Sequence, residues 1–134
     1  MERIWKTIKL PLFVWTGLMI IGSSLPGDAI PSVVSFWEWD KVAHGAEFFV
    51  FSMLLFRYLH SYTGKTLSRA FLICLLIGII YAGLDELHQL VIPNRECDWL
   101  DFMADSAGVL AGTAVAQVYY RKKAQKIISS PDKA

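Results

Sequence analysis

Four stretches of the chain are dominated by apolar residues: 10–25, 42–59, 70–92 and 101–120. Each is close to the roughly 20 residues a helix needs to cross the ~30 Å hydrocarbon core of a bilayer. Acidic residues enter the last three from one end only, so each of these has an apolar half and a polar half. Within the polar halves the spacing is helical. Asp40, His44 and Glu47 recur at i, i+4 and i+7, on one face over two turns. Asp85, His88 and Gln89 share a face at i, i+3 and i+4, with Glu86 turned away by about 100°. In the last segment Asp101, Asp105, Gly108 and Gly112 form one stripe, charged above and built below for close approach of a neighbouring helix. The pattern predicts an all-α protein, a polytopic four-transmembrane-helix bundle. The connection 26–40 holds Pro26, Gly27, Pro31, Trp37 and Trp39 and reads as a loop at the headgroup level anchored by tryptophan. The connection 93–98 is short and carries Arg95.

Charge orients the segments. Eleven of the thirteen lysines and arginines lie before the first segment, around the loop between the second and third, or after the fourth. Basic residues in short loops favour the cytoplasmic side, so both termini are expected there. Lys41 and Arg95 lie on the other side with ten of the twelve acids, and that outer face is acidic. The expected divisions are a cytoplasmic N-terminal tail over 1–9, a transmembrane domain over 10–120, and a basic cytoplasmic tail over 121–134 that is disordered after Lys126. Arg3, Lys6 and Lys9 before the first apolar run resemble the start of a signal peptide, but no small-x-small cleavage pair stands out, so the run is read as a retained helix.

Composition agrees. A chain of 134 residues that is 54% hydrophobic carries more apolar surface than a soluble domain of this size can bury. The formal net charge of +1 conceals the asymmetry, and nothing suggests nucleic acid as a partner. Cys74 in an apolar run and Cys97 in a polar loop fall at different depths, which argues against a disulfide, and no zinc motif is visible.

The second and fourth helices begin on the outer side and the third ends there, so their polar halves converge at one depth with Ser23 and Ser24. Each charge within a membrane segment costs roughly 2.5–3.5 kcal/mol, so such a cluster is expected to face a cavity and to function. His44, Glu47, Asp85, Glu86, His88, Asp101 and Asp105 are the candidates for chemistry. Lys41, Arg95, Gln89 and Asp40 are candidates for substrate binding, the two basic residues as contacts for an anionic group. Gly108 and Gly112 are packing positions, and His60 and Cys74 are structural. His44-x-x-Glu47 and Asp85-x-x-His88 set an imidazole beside a carboxylate on each of two helices, as acid–base pairs or as ligands of a divalent metal, with His44, Glu47, Asp85 and His88 as the metal candidates. A cation would reconcile an acidic cavity with an anionic phosphate substrate. A binder or transporter of a headgroup or cation, or a structural envelope-assembly protein, are the alternatives.

The stretches DKVAHGAEFFVFSMLL and DELHQLVIPNRECDWLDFMADSAGVLAG resemble the VanZ-like family of bacterial membrane proteins, named for a teicoplanin-resistance protein. The resemblance covers about 15–116 and includes the Ser-Ser-Leu-Pro that ends the first segment. It marks Asp40, Lys41, His44, Asp85, Glu86, Gln89, Arg95, Asp101, Asp105 and Gly108 as signature positions, with an acid at Asp105 where many relatives have Asn. It implies a protein of the bacterial cytoplasmic membrane whose site faces outward. The expected partner is an envelope lipid, such as an undecaprenyl-linked lipid, or a glycopeptide, with an effect on glycopeptide antibiotic sensitivity in some relatives.

Overall fold

The computed structural model describes residues 5–29 and 37–129. Four helices carry the chain: α1 (Leu10–Ser23), entered through a π-helical turn at Trp5–Lys9; α2 (Trp37–Arg57), continued by a π-helical turn at Tyr58–Tyr62; α3 (Leu67–Gln89); and α4 (Trp99–Ser129). A 3₁₀ turn at Gly27–Ala29 follows α1, and no strand occurs among the described residues. The fold is all-α, as the periodicity requires. Two expectations are corrected: the loop read over 26–40 ends earlier, since α2 already begins at Trp37, and residues 127–129, expected to be disordered, continue α4. The side chains of Trp37 and Trp39, and with them the expected anchoring, and residues 130–134 lie outside what is described.

Local chemistry sets the helix ends. Pro11 occupies the first turn of α1, where a missing N–H costs nothing. Thr66 caps α3, its hydroxyl accepting the Arg69 N–H at 3.3 Å. Asp98 does the same for α4, its carboxylate accepting the Leu100 N–H at 2.8 Å. α3 stops at Gln89 rather than 92, since Val91 and Ile92 turn back to bond the carbonyls of His88 and Gln89 and Pro93 follows. α4 runs past the apolar segment to Ser129, because its basic continuation is made of good helix formers whose charge suits a helix C-terminus.

Two stretches, Asp40–Tyr62 and Leu67–Gln89, are long and apolar enough to cross a membrane, while the apolar stretch of the first helix, Thr7–Ser23, is shorter. Only 33% and 22% of the two long stretches is buried inside the protein. A core helix of a water-soluble domain would be mostly covered; here Leu72, Leu76, Ile80, Leu84 and Leu87 of α3 all face outward.

α2 and α4 form the tightest pair, α3 packs against both, and α1 touches the others least. Small residues make the α2–α4 contact possible. A Cβ on Gly108 would collide with the backbone of Gly45, and one on Gly112 with the Phe49 carbonyl and the Ser52 hydroxyl. Where lipid replaces water, such backbone-level van der Waals contact is the main force between helices. Phe48, Phe51 and Tyr81 fill the space against α3, with ring centroids 5.1–6.1 Å apart. Cys74 is buried at this level, its Sγ 3.3 Å from both the Ser52 carbonyl and the Thr113 hydroxyl, and neither it nor exposed Cys97 is in a disulfide, as expected. His60 is likewise structural, bonding the Lys65 carbonyl at 2.8 Å and lying edge-on to Tyr120.

Candidate functional site

The polar halves converge at one end of the bundle, and two loops clasp over them. The Gly27 N–H donates to the Pro93 carbonyl at 3.1 Å, and Arg95 Nε donates to the Leu25 carbonyl at 3.3 Å. Gly27 must be glycine, because a Cβ there would overlap the Asn94 carbonyl. Asn94 makes the turn in the left-handed region, φ 58°, which asparagine tolerates better than most residues.

Beneath the loops lies an outer polar layer. Lys41 of α2 bridges Asp98, at 2.5 Å, and Asp101 of α4. The hydrogen bond from Lys41 and that from the Leu100 N–H hold the Asp98 carboxyl below its ordinary range. Glu86 of α3 reaches across to accept the Asp98 backbone N–H at 2.9 Å. A cavity of about 500 Å³ opens here, with Asp40, Lys41, Gln89, Arg95, Asp98 and Asp101 in its wall.

A second layer lies deeper. His44 Nδ1 is 3.1 Å from Asp105 Oδ1, and its Nε2 is 4.0 Å from Asp40. Asp105 is fully buried, so a carboxylate without solvent orients the imidazole. Gln89 Nε2 reaches Asp85 Oδ2 at 3.5 Å. A smaller cavity of about 150 Å³ is lined here by Ser23, His44, Glu47 and Asp85, and it shares Asp40, Gln89 and Arg95 with the larger one. The two are compartments of one site joined at those three residues. A further cavity of about 380 Å³ lies at the opposite, basic end, against Arg57 and Lys123.

Most of the residues picked out by spacing meet here. His44, Asp85, Glu86 and Asp105 offer donor atoms all within 4.8 Å of one another, and Asp40, His44 and Asp101 form a second such group. From the metal candidates expected on spacing, the structure brings together His44 and Asp85, but neither Glu47 nor His88 joins either group. Glu47 lines the smaller cavity and stays exposed, its backbone carbonyl accepting the Trp15 indole N–H at 3.0 Å. His88 turns toward α1, with Nδ1 3.3 Å from the Ser23 hydroxyl, and lines neither compartment. Glu86, which helix geometry turned away from its neighbours, is instead 3% exposed and central, because the start of α4 folds over it.

Two participants were not picked out by spacing. Asp98 caps α4 and holds Lys41 at once, a role set by the fold of the loop. Tyr81 has a buried hydroxyl without a hydrogen-bond partner, and its place one turn before Asp85 was the available signal. Gly108 and Gly112 sit where α4 comes closest to the backbone of α2 at Gly45 and Phe49.

No curated protein and no solved structure matches the chain. The VanZ/LLP1 family model matches residues 2–120, a span that holds all four helix starts, both compartments and every residue named above in them. The chain therefore belongs to the VanZ/LLP1 family.

Proposed function

We propose that this protein is a multi-pass protein of the bacterial cytoplasmic membrane, with both termini inside and the two-compartment site facing outward, and that it acts on the headgroup of an envelope lipid or lipid-linked precursor. The lysine and arginine asymmetry supports the orientation. The observation that carries the reading is Arg95, which lines both compartments and, among the described residues, has no carboxylate within ion-pair distance. Lys41 is engaged by Asp98 and Asp101, so Arg95 is the natural contact for an anionic headgroup entering from the rim.

Below the rim, His44 is held by Asp105 in the arrangement that both proton transfer and metal ligation by histidine use. An apolar exterior around a polar mouth suits a substrate whose tail stays in the bilayer while its headgroup enters the site. Removal or retention of a wall precursor in this way would alter sensitivity to glycopeptide antibiotics that bind such precursors.

The test uses purified protein in nanodiscs supplied with undecaprenyl phosphate or an undecaprenyl-linked precursor. Release of phosphate or headgroup is expected from the wild type, abolished in His44→Ala, with weaker lipid binding in Arg95→Met. Binding without release would make the protein a headgroup binder, and neither binding nor release would refute the reading.

A further inference from the structure

Cations are supplied unevenly across the two layers of the site. In the outer layer Lys41 bridges Asp98 and Asp101. Around His44 gather Asp85 and Asp105 of the inner layer and Glu86, which reaches between the two layers, and they are 8%, 0% and 3% exposed. Asp105 Oδ1 is bonded to His44, Glu86 Oε2 to the Asp98 N–H, and Asp85 Oδ2 to Gln89 at 3.5 Å. Glu86 Oε1 and Asp105 Oδ2 are buried and have no hydrogen-bond partner. Buried carboxylate oxygens are rarely left without a partner, because each one forfeits its hydration and gains nothing in exchange.

We infer that His44, Asp85, Glu86 and Asp105 form a binding site for one divalent transition-metal cation of the Mn²⁺ or Zn²⁺ kind. The set joins one imidazole nitrogen to carboxylates from two further helices, and its donor atoms already lie within 4.8 Å of one another. An imidazole among carboxylates suits Mn²⁺, Fe²⁺ or Zn²⁺, whereas Ca²⁺ and Mg²⁺ favour oxygen alone. The two unpartnered oxygens belong to residues of this set, and their lone pairs are free for an ion. The smaller compartment, lined by His44 and Asp85, gives it a path inward. The second group is the weaker choice, since its Asp101 is already taken by Lys41. Only the use of the cation, contact with an anionic headgroup arriving past Arg95, rests on the reading above; its binding does not.

The experiment is a titration of the full chain, stripped with chelator, in phosphatidylcholine nanodiscs, with Mn²⁺ followed by loss of its free spin-resonance signal and Zn²⁺ as competitor. One Mn²⁺ per chain is expected, displaced by Zn²⁺ and accompanied by a rise in the wild-type melting temperature. Affinity should fall by about tenfold or more in the shape-preserving Glu86→Gln and Asp105→Asn variants. The exposed-acid control Asp28→Asn should bind as the wild type does. Absence of saturable binding by the wild type overturns the inference, and so does undiminished binding in both variants. Failure of lipid turnover alone overturns the headgroup reading and leaves this one standing, because no envelope lipid is present in the titration.

Discussion

Gly108→Ala places a single methyl group where α2 and α4 touch. Its Cβ would lie 3.0 Å and 3.1 Å from the carbonyl carbon and Cα of Gly45, with the carbonyl oxygen closer still. Carbon atoms rest at about 3.5–4.0 Å, so the helices must part by roughly half an ångström or more. Overpacking of this kind costs about 1–3 kcal/mol, more than the ~0.5–1 kcal/mol that alanine gains over glycine in a helix. The position also bears on the site. Gly45 follows His44 and Gly108 lies one turn from Asp105, so the separation stretches the 3.1 Å His44–Asp105 contact toward the end of hydrogen-bonding range. Two other glycines calibrate the effect. Gly45→Ala meets only the Ala104 carbonyl at 3.3 Å and should be close to neutral, while Gly17→Ala has nothing within 4 Å and should be slightly stabilising. Unfolding in mixed micelles would rank the variants Gly17→Ala, wild type and Gly45→Ala together, then Gly108→Ala well below, with Mn²⁺ affinity reduced only in the last. Equal stability of Gly108→Ala and Gly17→Ala would refute the close α2–α4 approach from which the site geometry is argued.

The native cysteines report orientation: an impermeant maleimide added to intact cells should label exposed Cys97 and spare buried Cys74, and labelling of Cys97 only after lysis would invert the proposed topology. The two histidines should differ sharply, His44→Ala costing about 2–3 kcal/mol by leaving buried Asp105 without its partner and His88→Ala less than about 1 kcal/mol, since it loses one bond to Ser23; similar costs would contradict this assignment. Lys41→Met should destabilise by about 1–2 kcal/mol, discounted because Asp98 keeps 36% of its side chain exposed, and a neutral result would mean that Asp101 finds another partner. Asp98 has its carboxyl lowered in the folded state, so its contribution is present above the ordinary carboxylate range and is lost as pH falls through the lowered value. The stability deficit of Asp98→Asn should therefore be full at neutral pH and shrink on acidification below about pH 4, as melting curves across pH would show.

That the polar residues gather at one end of the bundle could be read without coordinates, because helical spacing puts Asp40, His44 and Glu47 on one face and acids entering from one end of a segment mark that end. The same reasoning found Asp85, Asp101 and Asp105, and the family resemblance marked most of the same positions. Spacing within one helix says nothing of how that helix is rotated toward its neighbours, and there each expected pair divides: His44 and Asp85 join the close donor group, while Glu47 and His88 do not. Glu47 and His88 share faces with His44 and Asp85, yet the first stays exposed and the second turns to Ser23 on α1.

Glu86 shows the opposite outcome. Helix geometry turned it off the face of Asp85, and it became central because Asp98 at the start of α4 donates its N–H to it. The sequence alone therefore determined four apolar segments, their polar end and the residue types gathered there, since these depend on local periodicity and on the cost of charge in lipid. The tertiary structure decided which four of those residues converge. That choice depends on the rotation of three helices at once, which contact at Gly45, Gly108 and Gly112 and the clasp of Gly27 on Pro93 constrain through distances no single segment contains.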